Sequence, residues 1–513
     1  MTPAAAVFGR TNWTPMDWGI VVVYLIISVG AGVVARSFVR TMDDFVVAGR
    51  KVRTALAVAS MSSTELGLIT VMYSAQKGFV GGFAAFHIAV LSAIVTLLVG
   101  LTGFLVVRLR ATGVLTIPEY YEQRFGRRTR ILGGLVLAFG GILNMGMFLK
   151  TESMFIVTVT GMHPGPALTG VMLALVSLAL LYTVSGGMVS DLVTDYIQYV
   201  VLAFGLLLVC WLAARSVGWG HVFSEVARLK GEAGLNPLVA EGAFGPAYMG
   251  WMAFLGLISC AVWPTSVARA LAAENEGVVR AMYRWSSIGF LTRFLMPYFL
   301  GCCAFVFVME APDLKAAFFP PAGGPPPLSN LYALPVFFAR TVPAGILGIL
   351  MAAMLAALMS TYDSYFLTWS SVITQDVVGP LAGPRFGAAT RIRLTRILMV
   401  AIGAYLVYWG LIYHGREDIW DYMAVSGAIY FTGAFAVLVG GLYWKRASST
   451  GAVLAILSGC SAVLGLSPVQ DRLGVAWPSA HVGLATIALS CAVMVAGSLA
   501  FPDSAPARGR VRA

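Results

Sequence analysis

Thirteen runs of about twenty apolar residues recur along this chain, each closed by a short polar stretch. A hydrocarbon core about 30 Å thick is crossed by roughly 20 helical residues. In that solvent, every backbone polar group needs a partner inside its own segment or a protected cavity. The runs fall at roughly 17–36, 54–76, 84–107, 131–160, 165–184, 192–214, 246–267, 285–309, 333–374, 394–413, 420–444, 450–466 and 480–500. The ninth is too long for one straight crossing, so it is expected to begin as an interfacial segment. Charge content agrees with this pattern. Only 11% of the 513 residues are charged, against about 25% in soluble domains. The expectation is an all-α polytopic membrane protein.

A net charge of +11 could point to nucleic acid, but its placement points to lipid. With the N-terminus outside, 23 of the 34 Lys and Arg residues lie in inner loops and the C-terminal tail. That asymmetry follows the positive-inside rule and leaves the C-terminus in the cytoplasm. The first run lacks a basic stretch before it and is followed by Arg36 and Arg40, the wrong order for a cleaved signal peptide. All six cysteines sit inside apolar runs without metal-site spacing. The five histidines are scattered, and no GxxxxGKS motif is present. The reading is therefore a non-enzyme without cofactor, in which any work against a gradient draws on another gradient.

Two runs are interrupted. The second contains Ser60-Met-Ser-Ser-Thr-Glu-Leu-Gly67, and the seventh ends Ala261-Val-Trp-Pro264. Proline removes a helix hydrogen bond. Broken helices at corresponding places in two halves point to a transporter binding site, because freed carbonyls can hold ions and solute. The five-run spacing predicts two five-helix repeats at 54–214 and 246–444. One extra helix (17–36) precedes them and two (450–500) follow.

Chemistry concentrates in the ninth run. On a helix, Ala357, Ser360, Thr361 and Ser364 share one face, with Asp363 to its side. Two hydroxyls above a carbonyl suit a hard cation such as Na+. The same pattern also serves ordinary back-bonding and small-residue packing. Other ionisable groups at membrane depth are Glu65, Lys150, Glu152, Asp195 and Arg293. Such groups are expensive there and are paired or functional. Asp191, Thr194, Asp195 and Gln198 form a helical stripe that either lines an inner ion route or is a polar helix end. Lys150 and Glu152, two apart, do not face each other. Lys150 is expected to pair with Glu65 or Asp363 on another helix, or to contact substrate. Arg293 suits either a carboxylate or a helix C-terminus.

Five ordered motifs carry a resemblance. They are Asp43 to Arg50, Thr116-Ile-Pro-Glu-Tyr-Tyr-Glu-Gln-Arg-Phe-Gly126, and Tyr182 to Gly187 followed by Thr194, Asp195 and Gln198. The others are Ala356 to Ser364, and Gly441 to Arg446 with Gly451-Ala452. The chain resembles the sodium:solute symporter family, which includes sodium-coupled proline, pantothenate and sugar transporters. The resemblance implies a LeuT-like fold of two inverted five-helix repeats and alternating access around a midplane site. It implies sodium ligands at the Ala357 carbonyl and the Ser360 and Thr361 hydroxyls, with backbone carbonyls near Glu65 and Leu68. It also implies a sodium-release role for Asp195, with Asp363 as a structural or coupling residue. The Asp363-Ser364 pair is closer to the proline branch. The sequence departs from the family pattern over Ser60–Gly67 and at Ala268, which stands for the usual Gln before Arg269. Glu65 beside the ion site would raise cation affinity, bind a proton or contact a cationic solute. The expected activity is Na+-coupled symport of a small organic solute in a cell membrane, the inner membrane of a bacterium. The alternatives are proton coupling through Glu65 or Asp363, or a non-accumulating sensor or channel on the same fold.

Overall fold

The computed structural model describes residues 7–35, 48–240, 242–319, 328–383, 386–415 and 417–503. Most of the Asp43–Arg50 motif and the proline-rich stretch 320–327 lie outside the described residues. Every regular element described is helical, with one isolated bridge between Val52 and Ala273. The principal helices are α1 (Pro15–Ala35), α2 (Thr54–Glu65), α3 (Leu68–Gly81), α4 (Phe86–Thr102), α5 (Arg127–Met145), α6 (Phe148–Val159) and α7 (Pro166–Ala213). After a surface helix at Trp219–Lys230 come α8 (Pro246–Val262), α9 (Pro264–Ala272), α10 (Glu276–Glu310), α11 (Ile346–Val372), α12 (Ala388–Ile412), α13 (Ile419–Tyr443), α14 (Ser449–Gly459) and α15 (Ser479–Ala500). Eight described helices are individually long and apolar enough to cross a membrane, or up to ten if each bent pair is one span.

Both expected breaks are present. Helices α2 and α3 are separated by Leu66 and Gly67. Helices α8 and α9 are bent by 40° at Trp263, with Pro264 as the first residue of α9, where its missing N–H costs nothing. The ninth run divides as expected into a short helix, Ala333–Thr341, and the nearly wholly buried α11. The fifth and sixth runs both lie within α7, a helical stretch of 48 residues whose apolar parts are Pro166–Leu181 and the stretch from Thr194 onward.

Small residues bring α3 and α10 into backbone contact. A Cβ on Gly78 would lie 2.2 Å from the Tyr298 carbonyl oxygen, and one on Gly301 2.1 Å from that of Ala75. This is the packing that membrane helices use where lipid supplies no hydrophobic drive. Helix α11 sits at the centre, against α1, α2, α7 and α12. The broken helices are therefore held beside the most buried helix of the fold.

Candidate functional site

Helix α2 ends inside the protein, so carbonyls of its last turn are left short of helical partners, the Ser63 carbonyl taking only the Leu66 N–H of the cap. Two of them face α11. Ser360 Oγ lies 3.2 Å from the Ser63 carbonyl and 3.1 Å from that of Ala357. Thr361 Oγ1 lies 3.4 Å from the Thr64 carbonyl and 3.0 Å from that of Ala357. Three carbonyls and two hydroxyls thus converge, all from buried residues. The close approach needs a glycine. A Cβ on Gly67 would sit 2.5 Å from Thr361 Oγ1.

The register within the break differs from expectation. The carbonyls of Ser63 and Thr64, rather than those of Glu65 and Leu68, meet the two hydroxyls. The Glu65 carbonyl instead accepts from Arg293 Nη1 (3.0 Å) and Thr70 Oγ1 (3.3 Å). Leu68 lies past the break, and as the first residue of α3 its carbonyl belongs to that helix's ladder.

Glu65 ties the two broken helices together. Its Oε1 accepts from Thr265 Oγ1 at 3.1 Å and Ser266 Oγ at 2.6 Å, in the first turn of α9. Its Oε2 pairs with Arg293 Nη1 at 2.8 Å. Among the described residues Lys150 makes no ion pair, and its Nζ donates to the Tyr413 carbonyl at 3.2 Å. Lys150 lines a separate cavity of ≈ 820 Å³ with Gln76, Glu417 and Asp418. Glu152 is fully buried, and its Oε1 accepts from the Ile69 N–H at the start of α3. There a carboxylate meets the positive end of a helix. Asp363 turns toward α7, where the Thr183 hydroxyl donates to it.

Asp195 is at the centre of a second network, on the side of the oxygen cluster toward the start of α2. It accepts from Ser60 Oγ (2.5 Å), Thr64 Oγ1 (3.3 Å) and Arg269 Nη2 (3.2 Å). Arg269 also reaches Ser60 Oγ (3.1 Å) and Ser364 Oγ (2.5 Å). Both charged side chains are wholly buried. Thr194 and Gln198 of the same stripe on α7 are also buried. Arg269 is not among the sequence-predicted site residues, although a guanidinium inside an apolar stretch just after a broken helix calls for a buried carboxylate. Lys77 carries the same signal. It is buried in α3 and pairs with Asp418 (3.0 Å) and Asp421 (2.9 Å) beside α13.

A cavity of ≈ 110 Å³ adjoins the oxygen cluster. Thr64 and Thr361 belong to both, and Glu65, Tyr73, Asn144, Trp263 and Arg293 are among the other polar residues of its wall.

A paired-break helical fold with an oxygen cluster and a solute-sized cavity on shared residues defines the class of LeuT-like secondary transporters. Comparison with known proteins gives the family. The sodium:solute symporter family matches residues 45–459, so this chain belongs to it. It is 23% identical over 467 residues to the sodium/glucose cotransporter of Vibrio parahaemolyticus, covering 86% of this chain and 83% of that one. It is 25% identical over 480 residues to the sodium/proline symporter of Haemophilus influenzae, covering 84% of each. The fold matches that of a Na+-coupled sialic acid symporter solved in a substrate-bound outward-open state. The TM-score is 0.79 at 18% identity, over 97% of this chain and 100% of that one.

Proposed function

We propose that this protein couples inward movement of Na+ to uptake of a small organic solute by alternating access. The observation that carries this reading is the sharing of Thr64 and Thr361 between the oxygen cluster and the cavity. An ion and a solute bound there touch the same two residues, so each changes the other's affinity, and the effect is reciprocal. Na+ would be held by the Ser360 and Thr361 hydroxyls and the carbonyls of Ala357, Ser63 and Thr64. Five neutral oxygens suit a hard monovalent cation. The Glu65 carboxylate is engaged by Arg293, Thr265 and Ser266. One charge moving through 100 mV supplies about 2.3 kcal/mol, enough for more than tenfold accumulation.

Several wider assignments belong to the same proposal. They are thirteen spans with the N-terminus outside, repeats at 54–214 and 246–444, and residence in a bacterial cell membrane. The loop charge asymmetry supports the orientation.

The test is uptake into proteoliposomes under separately imposed Na+ and H+ gradients, with a panel of amino acids, carboxylates, sugars and vitamins. Na+-driven accumulation that Ser360→Ala abolishes is expected. Uptake driven only by H+, or indifference to that substitution, overturns the reading.

A further inference from the structure

The cavity wall contains hydrogen-bonding capacity that the protein does not use. Arg293 spends Nη1 on Glu65, on both the carboxylate and the carbonyl. Its Nε is buried without a partner, and among the described residues none accepts from Nη2. The guanidinium is fixed in place, its Cζ 3.9 Å from the ring centre of Phe290 and 4.4 Å from that of Phe294. One edge of the fork is thus engaged, while the other has no partner among the described residues. Asn144, which lines the same cavity, is 3% exposed. Its Nδ2 donates to the Met423 carbonyl (2.7 Å) and Ser426 Oγ (3.0 Å), while Oδ1 is buried with no partner. Buried polar atoms without partners are rare and call for an explanation. An open guanidinium edge matches a carboxylate in two parallel bonds. An open amide oxygen matches a hydroxyl or ammonium donor.

We infer that the transported solute is a small carboxylate bearing a second hydrogen-bond donor, an amino or hydroxy acid with a compact apolar body. The carboxylate pairs with the Nε–Nη2 edge of Arg293, the donor with Asn144 Oδ1, and the body packs among Tyr73, Met252, Leu255, Trp263 and Trp420. The cavity, at ≈ 110 Å³, restricts the body to a few heavy atoms.

This inference rests on the symport reading, and the experiment separates their failures. Proteoliposomes under an inward Na+ gradient are given L-alanine, L-lactate, their amides L-alaninamide and L-lactamide, and D-glucose. At least one acid is expected to accumulate more than tenfold over a K+ control, with its amide excluded. L-alanine against L-lactate then reports whether the second donor is ammonium or hydroxyl. Arg293→Lys keeps the charge and removes the fork. It should raise KM for the accepted acid at least tenfold while the variant remains stabilised by Na+ in detergent. Accumulation of D-glucose alone, equal uptake of acid and amide, uptake of neither acid, or an unchanged KM in Arg293→Lys overturns the inference. The symport reading fails on a different result, the absence of any stabilisation by Na+ in the unsubstituted protein.

Discussion

Gly67→Ala separates packing from ion binding at the cluster. Gly67 has φ −78° and ψ 164°, an extended conformation open to any residue. On backbone grounds alone, alanine would stabilise by about 0.4–1 kcal/mol through the unfolded chain. The added Cβ, however, would lie 2.5 Å from Thr361 Oγ1 and 3.3 Å from both Thr361 Cβ and Ile69 Cγ2. Overpacking of a tight core costs about 1–3 kcal/mol. The clash therefore wins, and a net loss of about 1–2 kcal/mol is expected. Relief requires the Thr361 hydroxyl to move, so Na+ should bind about tenfold more weakly. At a Na+ concentration 100 times Kd, the ion stabilises by about 2.7 kcal/mol, and at 10 times Kd by about 1.4 kcal/mol. Roughly half of the Na+-dependent stabilisation should disappear, read as thermal unfolding in detergent with Na+ against choline. Adding Thr361→Ala should recover the packing loss without recovering the Na+ effect. If Gly67→Ala is stabilising and its response to Na+ is intact, Thr361 Oγ1 is not a ligand at that break.

The other expectations are simpler. Ser360→Ala deletes a hydroxyl bonded only to carbonyls, so it should cost about 1 kcal/mol of stability yet remove the thermal shift with Na+. Asp195→Asn removes the carboxylate paired with the buried Arg269, and removing one partner of a buried pair costs about 3–5 kcal/mol. The double change with Arg269→Gln should recover most of that loss in a denaturant titration, and no recovery would mean that the two groups are not coupled. Lys77→Met should destabilise through the stranded Asp418 and Asp421 carboxylates, while the same change with both aspartates made Asn should be milder.

The sequence made the two breaks legible because proline, glycine and clustered hydroxyls act locally. Gly67 and Pro264 sit at the breaks themselves. Ala357, Ser360 and Thr361 were legible for a related reason, since helical periodicity alone puts them on one face. The partner carbonyls were not. Carbonyls belong to every residue, and only the end of α2 decides that Ser63 and Thr64 are the ones presented. Ion pairing was equally hidden. Lys150, Glu65, Arg293 and Arg269 all read as charges in need of partners, but the choice among partners is set by helix packing far apart in sequence. Glu65 to Arg293 spans 228 residues.

The Arg269 network ties the first helix break to three other helices. Ser60 and Thr64 on α2, Asp195 on α7, Arg269 on α9 and Ser364 on α11 are joined by one guanidinium and one carboxylate. Thr64 contributes twice. Its carbonyl faces the ion cluster, and its hydroxyl contacts both Asp195 and Ser364 (3.1 Å). On the proposed reading, an ion leaving toward the start of α2 would pass between α2 and α11, which requires those contacts to separate. Na+ at the Thr64 carbonyl would hold α2 against α11 and so favour the state in which the network is intact. The coupling would then be a difference in Na+ affinity between two helix arrangements, and Asp195 would act on release through the packing of α2 against α11.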